Sequence, residues 1–400
     1  MKTFILPLLY DHHNHPCIYS ALSGAIELGE ICSKEKALEL IRHGKSRINL
    51  VVGWNDSMYS FTKNDLESLP SVFISNLSLH CFLINSAARE IIAAENPMMA
   101  GKIEDQLWVE KNLPMIYGFM TSLIPFDTQM VDEFFSRMEA LGILSFEEKY
   151  LSGIPFMDYV TDSGYNDRME FWTGPEEYAA LDESRKQKIK GIKLFTDGAL
   201  GAATAAMNEA YLCGGKGILI YTDNELYKKI ATLSAWSKPF SVHAIGDAAT
   251  AQVTRVLGRL KTDGLTPSVW MEHCQFITDE NARKLKDMGV ILSMQPNFNY
   301  DSVYYKDRLK KKYLEINNPF RMLVDKAGFI PGKDLLLGSD GMPHGAKFAL
   351  EQSLFPPFPD QRLTVEEFIA GYCMESVDHG CIEAGVDEDN GKVKILRVTR

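Results

Sequence analysis

The chain has no uninterrupted apolar run of the roughly 18 residues that a membrane-spanning helix requires, so a spanning helix is not expected. Its opening, MKTFILPLLY, carries one lysine and a short apolar run. No small-residue cleavage site follows and polar residues begin at Asp11, which argues against a secretory leader. Cysteine is sparse: seven residues, at 17, 32, 81, 213, 274, 373 and 381, an odd number with no C-x-x-C spacing. That pattern argues against a disulfide scaffold and for reduced thiols in a cytoplasmic protein. An excess of positive charge is missing too. Lys and Arg number 42 against 53 Asp and Glu, a net charge of −11, and the basic run Lys310-Lys311-Lys312 reads as a solvated helix face. Neither nucleic acid nor an anionic membrane is therefore an expected partner. No G-x-G-x-x-G or G-x-x-x-x-G-K-[ST] follows a strand-like segment, which removes support for a nucleotide-binding open sheet.

What the sequence does have is a recurring short apolar run followed by a helical pattern. Candidate strands are Thr3–Tyr10, Asn49–Gly53, Ser71–Ile74, Gly142–Phe146, Gly191–Phe195, Phe240–Ala244, Ser268–Glu272, Val290–Met294 and Leu335–Gly338. Near-continuous apolar strands separated by helices predict a parallel sheet covered on both faces. Thr222 with Glu225, and Thr364 with Glu367, fit capping boxes that start helices. The expected fold is α/β, a (β/α)8 barrel over residues 1–385 with an insertion at about 54–141, and a C-terminal tail over 386–400.

Unusual polar residues cluster at the ends of these strands. Asp11, His13 and His15 follow the first strand as D-x-H-x-H, a spacing that puts alternate side chains on one face. Two imidazoles on one face can hold a cation, and His12 and Asn14 would point the other way. Lys193 lies within the apolar strand Gly191–Phe195 and needs either a salt bridge or conversion of its amine to a carbamate by carbon dioxide. His243, His273 and Asp340 each end a further strand. Taken singly, each could be structural. Together they fall at the C-terminal ends of successive strands, where barrel active sites lie, and suit zinc or a similar metal.

This ordered set resembles the ligand order of the amidohydrolase superfamily. Lys193-Leu-Phe-Thr-Asp-Gly-Ala-Leu-Gly201, Val242-His-Ala-Ile-Gly-Asp-Ala-Ala249, Glu272-His273, Met294-Gln-Pro296 and Gly338-Ser-Asp340 resemble amidohydrolase family 3, a branch that includes N-substituted formamide deformylase. His80–Ala88, reading HCFLINSAA, is similar to a substrate-side segment of that branch. The resemblance implies one or two divalent ions, zinc foremost. His13 and His15 would bind the first, His243 and His273 the second, and a carbamate on Lys193 would bridge them. Asp340 would bind the first ion and shuttle a proton, with Lys193 and His273 completing the catalytic group. Asp11 would orient an imidazole from behind. His80 and His344 are candidates for contact with substrate, as are Trp54, Tyr300, Asp301, Arg308 and Arg321.

The implied chemistry is cleavage of a non-peptide C–N bond in a small-molecule amide, formamide or cyclic amide by a metal-activated hydroxide. A single-metal heterocycle deaminase, a phosphotriesterase- or lactonase-like hydrolase, and a non-catalytic binding barrel are the alternatives. The family's accessory β-sandwich is expected to be absent or reduced to Lys392–Val398, and a homo-oligomer is compatible with the sequence.

Overall fold

The computed structural model describes residues 1–400. The chain begins with β1 (Lys2–Pro7) and β2 (Leu9–Asn14). Next come β3 (Ile26–Glu27), β4 (Asn49–Trp54), β5 (Val72–Asn76) and β6 (Phe82–Ile84). Then follow β7 (Ile143–Glu148), β8 (Met169–Thr173), β9 (Ile189–Phe195), β10 (Phe240–Ala244), β11 (Val269–His273), β12 (Ile291–Met294) and β13 (Leu335–Leu337). The chain ends with β14 (Cys381–Asp387) and β15 (Lys392–Thr399).

Eight of these strands, β2 and β7 to β13, form a parallel sheet in sequence order, and helices connect most of them. This is the (β/α)8 barrel. Its seam lies between β13 and β2, where the Asp340 N–H donates to the His13 carbonyl at 2.7 Å. Asp11 closes the same seam, accepting from the Ser339 N–H at 2.8 Å and the Ser339 hydroxyl at 2.5 Å. A Cβ at Gly338 would collide with the His13 backbone nitrogen, so the seam requires glycine there. Apolar side chains of the strands, among them Leu9, Phe146, Leu194, Val242, Met271 and Leu292, join the surrounding helices in one continuous core.

Two smaller sheets flank the barrel. β1, β14 and β15 form an antiparallel sheet whose Leu6, Ile382, Ala384 and Val393 belong to the barrel's own core. Its last strand, Lys392–Thr399, closely matches the expected residues Lys392–Val398. β3 to β6 form a separate sheet with its own core of Val51, Val72, Ile74 and neighbours.

The strands differ from the sequence reading in three places. Thr3–Tyr10 is not one barrel strand: it divides at Leu8, between β1 in the antiparallel sheet and β2 in the barrel. Pro7, which has no N–H for a ladder, is the last residue of β1. Asn49–Gly53 and Ser71–Ile74 are strands, but of the small sheet. β8 supplies the missing barrel strand; its sequence MEFWT is short and lies directly after a 3-10 turn at Asn166–Arg168.

Candidate metal centre

The barrel brings the predicted residues together in one cavity. His13, His15, Lys193, His243, His273 and Asp340 all line it. His15 Nε2 lies 3.3 Å, and His13 Nε2 3.6 Å, from Asp340 Oδ1. One potential ligand atom from each of these three residues lies within 4.8 Å of the others. The His273 ring centre is 4.6 Å from that of His13 and 4.6 Å from that of His243. His273 and Asp340 have φ of +71° and +54°. Left-handed backbone at non-glycine residues is strained, and such strain collects at functional sites.

Three of the four imidazoles have a hydrogen-bond partner, and His15 Nδ1 has none. His13 Nδ1 is 2.6 Å from Glu272 Oε2, and His273 Nδ1 is 2.8 Å from Gln295 Oε1. His15 Nδ1 stands 3.4 Å from Glu148 Oε1, while His243 Nε2 is 3.1 Å from the Gly198 carbonyl. Burial, then the nearby Lys193 charge, holds His13 down at about 4 despite Glu272 and Asp340. Burial and His13 hold His273 at about 3, and burial also keeps His243 well below its ordinary value. These three imidazoles are neutral near pH 7, the state that binds metal. His15 differs. Burial lowers it, but Asp340 and Glu148 outweigh burial and raise it to about 9, so a bound cation would take the place of that proton. Asp340 is held far below the ordinary carboxylate range: burial opposes this, and His13, His15 and His273 overcome it.

Lys193 is buried, and its Nζ has no hydrogen-bond partner. The salt bridge open to it from sequence is not formed. Burial brings its amine down to about 8, with Glu272 and Asp340 opposing and Lys149 reinforcing. The donor set fits divalent metal: His13, His15 and Asp340 could hold one ion, with His243, His273 and Lys193 available to a second.

The remaining candidates divide. His80 lines the cavity, with Nδ1 2.8 Å from Glu110 Oε2 and its ring 5.9 Å from that of His243. Asp301 lines it as well. Asp11 does not orient an imidazole ring. Its carboxylate accepts from Asn14, Ser339 and the His13 backbone, because the β2 register breaks between Asp11 and Asn14 and turns it to the seam. The same break voids the alternation expected of Asn14, which points inward to Asp11. His344 lies outside the cavity wall, against the Tyr19 and Phe134 rings, with Nε2 3.2 Å from Asn14 Oδ1. Trp54 packs in the small sheet and donates to the Tyr59 carbonyl at 3.0 Å. Arg308 is taken up by Gly201, Ser57 and Asp307, and Arg321 by Glu367. Tyr300 lines an adjoining chamber.

Sequence reasoning missed the charges behind the ligands. Glu272 Oε1 accepts from Ser241 at 2.7 Å and lies 3.0 Å from Lys149 Nζ, which is 2.8 Å from Glu147 Oε2. Glu147, Glu148 and Lys149 are all buried. The signal was available: three consecutive charges directly after the apolar run Gly142–Phe146, and a glutamate inside Val269–His273.

Comparison with known proteins agrees with this architecture. The amidohydrolase family pattern matches residues 3–345. The Bacillus subtilis (strain 168) protein YtcJ, whose name assigns it to the amidohydrolases, is 22% identical over 364 residues, covering 80% of this chain and 68% of its own. Two solved structures of uncharacterised metal-dependent hydrolases share the fold. One, from Pyrococcus horikoshii, has TM-score 0.64 at 20% identity, covering 88% of this chain and 75% of its own. The other, from Pyrococcus furiosus, has TM-score 0.65 at 19% identity, covering 92% and 80%.

Proposed function

The chain belongs to the amidohydrolase family, and from that premise we propose that it is a metal-dependent hydrolase cleaving a non-peptide carbon–nitrogen bond in a small amide, formamide or cyclic amide. The observation that carries this reading is the convergence in one cavity of four histidines, Asp340 and the unpartnered Lys193 amine. His13, His15 and Asp340 would hold one ion, and His243 and His273 a second. The Lys193 ammonium would lose one proton to give the amine, whose nitrogen would bond to carbon dioxide with loss of a second, replacing a costly buried cation by a carbamate with two ligand oxygens. Zinc at these positions would supply Lewis acidity and make water a nucleophile near neutral pH.

The chain's own residues position and protonate. Glu272 and Gln295 fix the His13 and His273 rings. Asp340, ionised and 3.3 Å from His15 Nε2, is the proton carrier. It takes a proton from the attacking water and gives it to the departing nitrogen, so the acyl carbon keeps the oxygen and the amine leaves neutral.

A second reading has one observation in its favour. Only His13, His15 and Asp340 form a compact donor set, while His243 Nε2 is engaged by the Gly198 carbonyl. A single ion there would suit deamination of a heterocycle. The test is a panel of N-formyl and N-acetyl amines, cyclic amides and amino-heterocycles, assayed before and after chelation and zinc return. Zinc-dependent release of an organic amine, or ring opening of a cyclic amide, supports the first reading. Ammonia from a heterocycle alone supports the second.

A further inference from the structure

The cavity continues past the metal centre. It shares Tyr19, Leu79, Asp301, Tyr305 and Met342 with an outer chamber whose wall adds Tyr300 and Tyr304. Asp301 is the one carboxylate that lines both spaces. The inner cavity has no arginine in its wall, and Lys193 is its one lysine. The outer chamber has Arg137, together with Glu27.

Asp301 is short of partners. Its carboxylate, partly exposed to the cavity, accepts from Gln275 Nε2 at 2.8 Å, and no cation is paired with it. Gln275, itself in the cavity wall, cannot be turned to help. Its Nε2 also donates to Asn317 Oδ1 at 3.0 Å, and Asn317 Nδ2 donates in turn to the Phe298 carbonyl at 2.6 Å and to Ser302 Oγ at 3.1 Å. Exchanging oxygen and nitrogen on Gln275 would set its oxygen against two others. Gln275 Oε1 therefore stays an acceptor, buried and without a partner. Asp301, with one hydrogen bond and no paired cation, and the unpartnered Gln275 Oε1 share this wall with Tyr19 and Tyr305, and Tyr304 meets Tyr305 edge to face at 5.0 Å between ring centres. Carboxylate and amide oxygens next to aromatic rings suit one kind of guest: a cation with N–H groups.

We propose that the substrate carries a protonated nitrogen, an ammonium, amidinium or guanidinium, on the arm remote from the scissile bond, and that Asp301 binds it among these tyrosines. This deepens the hydrolase reading and rests on it for which end of the ligand meets the metal centre. Burial raises Asp301 to about 7, with the Gln275 bond opposing, and an arriving cation would return it to the charged form.

The test uses three amides of matched length on the purified metal-containing protein: N-(4-aminobutyl)acetamide, its neutral isostere N-pentylacetamide, and the anionic 5-acetamidopentanoate. Binding is measured by calorimetry and amine release separately. Wild type should bind the cationic amide about tenfold more tightly than the neutral one, the scale of one charge-assisted hydrogen bond. Asp301→Asn should abolish that preference at unchanged melting temperature, and Asp301→Glu should keep part of it. Equal affinity, preference for the anion, no binding of the cation, or a preference that survives in Asp301→Asn overturns the proposal. Preferential binding, with no hydrolysis of these acetamides or of the formamides and cyclic amides of the wider panel, would sink the C–N reading and leave the cation site standing. Hydrolysis without preference would do the reverse.

Discussion

At His13 the ring is held by a carboxylate on another strand. Glu272 is buried, bonded to His13 Nδ1 and Ser241, and paired with Lys149, so removing its charge loosens a ligand without touching the metal-facing nitrogen. Glu272→Gln is expected to lower metal affinity about 10- to 100-fold, the usual cost of losing such a partner, measured by competition with a chromogenic chelator. An unchanged affinity would mean that Glu272 serves only the ion pair with Lys149. The six ligand candidates were legible because imidazole, amine and carboxylate are costly in apolar strands and rare there without a reason. Glu272, Glu148 and Lys149 were not assigned roles because each is explained only by a partner on another strand, and no spacing in one strand reveals it. Asp11 misled for a related reason. Its place in D-x-H-x-H assumes regular alternation, and one break in the register of β2 sends it to the seam.

At the scale of elements, the site depends on how β13 returns to β2. Gly338 packs against the His13 backbone, and the next residues deliver Ser339 to Asp11 and Asp340 to His15. Gly338→Ala should push the strand ends apart. It is predicted to lower the thermal midpoint and the bound metal together, the first read by calorimetry and the second by elemental analysis. A variant that lost neither would show that the seam has slack. Most barrel strands were legible from apolar runs, β9 to β13 most clearly. β8 was not, since five residues with one charge carry little periodic signal. Asn49–Gly53 and Ser71–Ile74 read correctly as strands, but a strand's sequence does not say which sheet it joins. That is decided by the separate core of Val51, Val72 and Ile74.

At the scale of the whole molecule, the barrel fixes the candidate metal ligands, and the segment around β3 to β6 helps to build the cavity wall. Ser78, Leu79 and His80, between β5 and β6, and Tyr117, on the helix Leu113–Ser122, face the ligands from that side. The two chain ends pair in the small antiparallel sheet, whose core runs into that of the barrel. Overall architecture was legible because alternation of strand and helix repeats along the chain. Cavity shape was not, because loops and the inserted segment set it.

Should His13, His15, His243, His273 and Asp340 form a metal centre, Lys193 lies inside it. The measurement that bears on it most directly is metal content per chain, by elemental analysis of protein purified without chelator, for wild type and Lys193→Ala. Two zinc-like ions are expected in the wild type and a large loss in the variant, restored by bicarbonate with a short carboxylic acid. No metal in the wild type, and none taken up on reconstitution, would contradict it.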